Sequence, residues 1–156
     1  MTDKIKVGLI FGGNSSEYEV SIMSAHNIYE EIDTNKFDVY PMWITNDGYL
    51  ADDADSRKVL DNPKMEVANP HKVANISNII ELKDRPEIDV FFPIVHGNLG
   101  EDGCLQGLFR VLDKPFVGDD VLAAAVTMDK EMTKILAQRA GVPVAKWIAV
   151  KRFEYN

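Results

Sequence analysis

Continuous apolar runs alternate along this chain with stretches of helical period, and that order sets the expectations for the fold. Lys6 to Phe11 is a continuous apolar run, as in a strand buried on both faces of a parallel sheet. Gly12 and Gly13 end it. Ser16 and Glu19, three apart, read as a capping box. The helix behind it runs to about Asp33, with Val20, Met23, Ile28 and Ile32 near one face. Phe37 to Thr45 reads as a second strand, and Pro41 inside it marks an edge or a bulge. Asn46-Asp47-Gly48 is a turn signal, with Tyr49 and Leu50 returning as a short strand.

Residues 51 to 86 are polar, contain Pro63, Pro70 and Pro86, and hold no firm period. They read as a surface excursion with a short helix near Ser56 to Leu60. Ile88 to Val95 is another fully apolar strand, leading straight into "HGNLGEDG". Cys104, Leu105, Leu108 and Leu112 then share a helical face, and "KPFVG" reads as a short strand. Val121 to Val126 and Lys130 to Ala140 are two further helices, the second stopped by Gly141 and Pro143. In that second helix Asp129 is the expected cap, and Met132, Ile135, Leu136 and Ala140 the expected buried side. "AKWIAVKRF" reads as a last strand with no successor, the mark of a truncated chain. Strands alternating with helices give an α/β class: an open, mainly parallel sheet with helices on both faces.

Composition narrows the functions. The 156 residues suffice for one ordinary domain, and a chain of this size buries roughly 70% of its unfolded surface. A net charge of −8 argues against nucleic acid and against an anionic membrane surface, both of which need a basic footprint. Cys104 is the only cysteine, so no internal disulfide forms and a reducing compartment is expected. No apolar run approaches the ~20 residues that span a bilayer, and "MTDKIKVGL" carries no signal-peptide core. The expected location is the cytoplasm.

In open α/β sheets ligands sit beyond the carboxyl ends of the strands. Two loops are expected there, Gly12 to Val20 and His96 to Gly103. The first has its glycines at 8, 12 and 13, which fails the dinucleotide pattern, and no lysine follows to make a P-loop. Glu17 stands at the front of the helix. A carboxylate there is favoured by the helix dipole by ~0.3–1 kcal/mol, would repel a phosphate, and would welcome a cation such as an ammonium. A plain capping role for Glu17 and Glu19 explains the stretch equally on its own terms.

The second loop spaces Gly97, Gly100 and Gly103 by three, with Gly107 following inside a helix. A helix-interior glycine costs about 1 kcal/mol against alanine, which suggests a close approach by another helix or a ligand. His96 stands at the strand's end, facing either the cleft or a structural hydrogen bond. Asp102 reads as an N-cap and Glu101 as a solvated charge; together with His96 they match no zinc or calcium spacing. Lys130 sits in a helix's first turn, the unfavourable end for a cation, so it is either an ordinary surface lysine or a phosphate contact.

Taken together, "GGNSSEYEVS", "HGNLGEDGCLQGLF" and "MDKEMTKILAQRAGVPVAKW" resemble the N-terminal part of a D-alanine–D-alanine ligase, over essentially the whole chain. The resemblance implies a Rossmann-like domain preceding an ATP-grasp fold. Residues 1–126 would be the substrate-side domain and 127–156 a helix and first strand leading into a missing ATP-grasp part. It implies a cytoplasmic, commonly homodimeric enzyme of peptidoglycan precursor synthesis. The enzyme uses ATP and Mg²⁺ to phosphorylate one D-alanine carboxylate, and a second D-alanine amine then attacks the acyl phosphate. It further implies that Glu17 holds the ammonium of the first D-alanine, that Val20 lies against that substrate, that His96 sits beside it, and that Lys130 reaches the ATP phosphates. Asp119 and Asp120 stand where many relatives carry a small residue and a glycine, and Tyr18 matches a variable position. Two alternatives stay open: a D-alanine–D-lactate ligase on the same scaffold, and a non-catalytic α/β module that binds a nucleotide or dimerises.

Overall fold

A computed structural model describes residues 3–65, 67–75 and 88–151 of the chain. The apolar run at the start forms β1 (Ile5–Gly12), and α1 (Tyr18–Glu31) returns the chain to β2 (Phe37–Ile44). β3 (Tyr49–Ala51), α2 (Asp53–Asp61) and β4 (Lys72–Asn75) follow, then β5 (Val90–Pro93) and α3 (Cys104–Val111). The last elements are α4 (Val121–Met128) and α5 (Lys130–Arg139).

The sheet has five strands in the order β4-β3-β2-β1-β5. β1 pairs in parallel with β2 on one side and β5 on the other, while β3 and β4 join antiparallel. The class is the expected one, open and mainly parallel. The order reverses at β1: the chain first builds outward through β2, then comes back to lay β5 on the opposite side. Such a reversal leaves a crevice at the carboxyl ends of the strands.

Side chains alternate across β1, so it feeds two cores. Leu9 and Phe11 pack with Ile22 and Ala25 of α1, Trp43, and Val59 and Leu60 of α2. Ile10 packs on the other face with Met42, Ile44, Phe91, Leu105 and Phe109. Phe91 and Phe109 stack with centroids 5.1 Å apart and are fully buried. Helices therefore cover both faces. Cys104 is exposed rather than part of the buried face of α3, which centres on Leu105 and Phe109.

Pro41 lies in a strand with neighbours on both sides, yet it breaks no rung and no bulge interrupts the β1–β2 register. The Trp43 amide donates to Ser56 Oγ at 3.1 Å, and Val39 O accepts from Arg57 at 2.9 Å. The odd-numbered backbone groups of β2 thus point away from β1. Pro41 faces that side too, where β3 pairs only at Ile44↔Leu50. It occupies a local edge, where a missing amide leaves no ladder bond unmade.

The face of α1 differs from the expected one. Ser21, Ile22 and Ala25 are buried, while Val20 is 53% and Met23 40% exposed. The burial is fixed by a polar contact rather than by the apolar stripe. Ser21 Oγ accepts from the Gly12 amide at 2.8 Å and donates to Ile94 O at 2.6 Å, and Ser21 is fully buried. The Ile94 amide still bonds Ile10 O at 2.8 Å, so the next rung of a parallel ladder would join Gly12 N–H to Ile94 O directly. The hydroxyl of Ser21 is inserted into that rung, holding the two strand ends apart while satisfying both backbone groups.

The short strand at 114–118 is a single bridge, Phe91↔Phe116, and β4 within the polar excursion was not anticipated. Residues 145–151 carry no strand. A strand exists only through ladder bonds to a neighbour, and this stretch instead lies along α5, with Lys151 Nζ on Glu131 Oε2 at 2.8 Å. The remaining two residues of that expected strand, like Pro86, lie outside the described residues. α5 is capped by Asp129 as expected, but Met132, Ile135 and Leu136 are 44%, 42% and 47% exposed. Helical period shows that one side is apolar, not that something covers it.

Two stability changes follow. Ser21→Ala removes the inserted hydroxyl and leaves two buried backbone groups unpaired, so urea denaturation should report a loss of about 1–3 kcal/mol. Gly12 and Gly141 both have positive φ, but a methyl on Gly12 would sit 2.1 Å from Ile44 O, whereas one on Gly141 meets nothing within 4 Å. Gly12→Ala should therefore lower the denaturation midpoint clearly more than Gly141→Ala, which carries only the conformational strain.

Candidate functional site

The two expected loops do meet, in the crevice where β1 and β5 part. Ser15 ties them: its hydroxyl donates to His96 O at 2.8 Å and accepts from the Glu17 amide at 3.1 Å. The expected Ser16–Glu19 capping box is absent; Glu17 itself is the N-cap of α1 and makes no side-chain cap bond. Ser15 takes the backbone amide of Glu17 itself, and the Tyr18 amide bonds Ser15 O at 3.3 Å. The carboxylate of Glu17 is therefore not used up in finishing its own helix.

That carboxylate is turned toward the second loop. A methyl built on Gly97 would lie 3.2 Å from Glu17 Oε2 and 3.2 Å from Ser15 Cβ. The Gly97 amide donates to Glu101 Oε2 at 2.8 Å. Two carboxylates, Glu17 and Glu101, thus converge on one glycine from opposite loops. A side chain there would crowd Glu17 and Ser15, and the φ of +77° at Gly97 is one that glycine adopts without strain.

His96 stands in the same crevice, half-buried. Its Nε2 is 3.1 Å from Ser24 Oγ on α1, and its Nδ1 is 3.8 Å from Glu101 Oε1. Glu101 is therefore more than a solvated charge; one oxygen braces the loop and the other faces the imidazole. Asp102 accepts from the Leu99 amide at 2.8 Å and the Cys104 amide at 3.0 Å, while Gly103 is the formal N-cap of α3. Burial pushes the Asp102 carboxyl up, but these hydrogen bonds outweigh it and hold the group below the usual carboxylate value. The hydrogen bond to Asp102 raises the Cys104 thiol, and burial adds to it.

The glycines of this loop have separate reasons. A methyl on Gly100 would meet Val95 O at 2.0 Å, and one on Gly103 would meet Val121 O at 2.7 Å. Gly107 is not a close-approach site: a methyl there meets only Val121 Cγ2 at 3.9 Å, an ordinary contact. Gln106 braces the loop from below by donating to Gly100 O at 2.9 Å.

Of the candidate residues, Glu17 and His96 are brought together. Val20 lies on the exposed side of α1. Lys130 is elsewhere, at the start of α5 in a cleft of ≈ 200 Å³ with Glu131, Lys134, Trp147, Ile148 and Lys151. Tyr18 accepts from Trp43 Nε1 at 2.8 Å, and burial raises its phenol above the ordinary value. It lines a different cleft, on the outer side of α1 with Met23 and Trp43. Asp120 caps α4 through the Ala123 amide at 3.0 Å, so the second of the two unusual acids has a structural role.

Sequence reasoning passed over Ser15, Ser21 and Ser24. For Ser21 and Ser24 the available signal was a hydroxyl set among the apolar residues Val20, Ile22, Met23 and Ala25. Chemically, the crevice presents the carboxylates of Glu17 and Glu101 and the imidazole of His96 around a bare backbone. It suits a cation carrying hydrogen-bond donors, and it disfavours an anion. Among the described residues no group of three or more His, Cys, Asp or Glu is placed to hold a metal ion.

Comparison with known proteins places the chain in a family. A D-alanine--D-alanine ligase of Lactobacillus gasseri is 99% identical over 156 residues, 100% of this chain and 43% of that protein. One of Lactobacillus acidophilus is 76% identical over the same span, again 43% of its length. The chain thus covers well under half of the curated relatives it matches. Among solved structures, the D-alanine-D-alanine ligase from Coxiella burnetii superposes with a TM-score of 0.71 at 33% identity, over 93% of this chain and 44% of that one. The VanG D-Ala:D-Ser ligase from Enterococcus faecalis gives 0.69 at 33% identity, over 97% of this chain and 46% of that one. The family model described as D-ala D-ala ligase N-terminus matches residues 6–119, which hold both crevice loops and the strands that carry them; the chain belongs to that family.

Proposed function

We propose that this chain supplies the substrate-side wall of an ATP-dependent ligase that joins two D-alanines through an acyl phosphate, for peptidoglycan precursors in the cytoplasm. The observation that carries the reading is the convergence of Glu17 and Glu101 on Gly97, with His96 beside them. The ammonium of an amino acid is the cation that this crevice suits. Glu17, exposed in this chain, accepts its hydrogen bonds, a charge-assisted contact worth roughly 1.5–3 kcal/mol once shielded from water. Val20, exposed on α1, is available to lie against the substrate, and His96 borders it. Glu17 is the group on this chain that touches substrate and is catalytic in that sense.

ATP supplies the phosphoryl group that activates the carboxylate, with Mg²⁺ to neutralise its charge. The described residues offer no donor set for the ion, so this reading assigns ATP and Mg²⁺ mainly to the length present in the relatives and outside this chain. One neighbour of the chain, the D-alanine--D-alanine ligase from Bacillus anthracis, is in complex with ATP. Lys130, exposed at the start of α5, is the contribution proposed here toward the phosphates. A homodimer is the assembly proposed for the whole enzyme. The acceptor is the least constrained part: this wall faces the first substrate, so a D-lactate acceptor stays compatible with it, and the VanG neighbour is a D-Ala:D-Ser ligase.

Two measurements test the reading. The 156-residue chain alone should form no D-alanyl-D-alanine from D-alanine, ATP and Mg²⁺; D-alanine-dependent phosphate release from it would contradict the proposal. In the full-length Lactobacillus gasseri relative, Glu17→Gln at the matching position should raise the KM for the first D-alanine about 10- to 100-fold. The KM for ATP should move less than about twofold. Equal effects on the two would reject the ammonium role.

A further inference from the structure

We propose that Ser24 is a positioning residue for His96, setting both the tautomer and the rotation of its ring. The role deepens the ligase reading and rests on it, because it matters to function only if His96 borders the substrate.

The argument starts with the two ring nitrogens. A neutral imidazole has one N–H and one bare nitrogen, and the neighbours decide which is which. Nδ1 lies 3.8 Å from Glu101 Oε1. An ionised carboxylate only accepts hydrogen bonds, so a bare Nδ1 there would set lone pair against lone pair. The proton belongs on Nδ1. Nε2 is then bare, and the group beside it must donate. Ser24 Oγ is 3.1 Å away and is a hydroxyl that can rotate to do so.

The hydroxyl has an alternative. A serine inside a helix can turn back to the carbonyl four residues earlier. Ser24 instead reaches a residue 72 positions away. The other charged side chain at this crevice, Glu17, comes from the opposite loop toward Gly97, and Ser15 bonds the backbone of His96 rather than its ring. Among the described residues, Ser24 thus bonds one ring nitrogen of His96 while the Glu101 carboxylate faces the other. Because Ser24 stands one turn beyond Ser21, the same helix that wedges the strand ends apart also sets the ring at their mouth.

The test has a structural and a kinetic arm. In the ¹⁵N-histidine-labelled chain, whose three histidines are separated by a His96→Asn control, the wild-type ring should show a protonated Nδ1 and a bare, hydrogen-bonded Nε2. Ser24→Ala should move the Nε2 resonance downfield, toward an unbonded nitrogen, and Ser24→Thr, which keeps the hydroxyl, should restore it. An Nε2 signal identical in wild type and Ser24→Ala would overturn the contact. In the full-length Lactobacillus gasseri relative, Ser24→Ala should raise the KM for the first D-alanine about 3- to 10-fold, leaving the KM for ATP within about twofold, with recovery in Ser24→Thr. A moved resonance with an unmoved D-alanine KM would place His96 away from the substrate, overturning the positioning role while leaving the Glu17 measurement to judge the ligase reading separately.

Discussion

The crevice depends on one hydroxyl placed inside a sheet rung. Parallel strands closing on each other would join Gly12 N–H to Ile94 O and leave no gap at their carboxyl ends. Ser21 takes both partners, at 2.8 and 2.6 Å, so the strands part without an orphaned backbone group. Everything at the mouth follows from that separation. Ser15 then spans it, Glu17 reaches toward Gly97 across it, Glu101 braces Gly97 from within the second loop, and His96 hangs at its edge.

Much of the fold could be read before any coordinates. The runs Val7–Phe11 and Val90–Val95 carry no charged residue because β1 and β5 are covered on both faces. That continuity is itself the mark of a parallel sheet. What failed had a shared cause. Ser16–Glu19 has the right spacing for a capping box, but spacing does not report that Ser15 has a partner in His96, 81 residues away. Val20 and Met23 lie on a helical face by period, yet the buried face is chosen by Ser21. β4 hides in a polar stretch because an edge strand needs little apolar side chain to pair.

The site was legible where charge alone decided. An acid at a helix front disfavours a phosphate whatever surrounds it, and Glu17 does face the other loop. It was illegible where a role is created by contact. Glu101 reads as a solvated charge until the Gly97 amide and the imidazole are seen on its two oxygens. Ser24 is one of several serines until Nε2 of His96 lies 3.1 Å from it. Likewise the apolar stripe of α5 is plain in the sequence, while its exposure is a matter of what neighbours it.

The first helix serves two masters. Its inward residues, Ser21, Ile22 and Ala25, sit in the core, while Glu17 and Ser24 on the same rod belong to the crevice. A small tilt of that rod would carry acid, hydroxyl and imidazole together. Core substitutions beneath it would then disturb the crevice as well as the packing, and a readout at the mouth alone would misplace their origin.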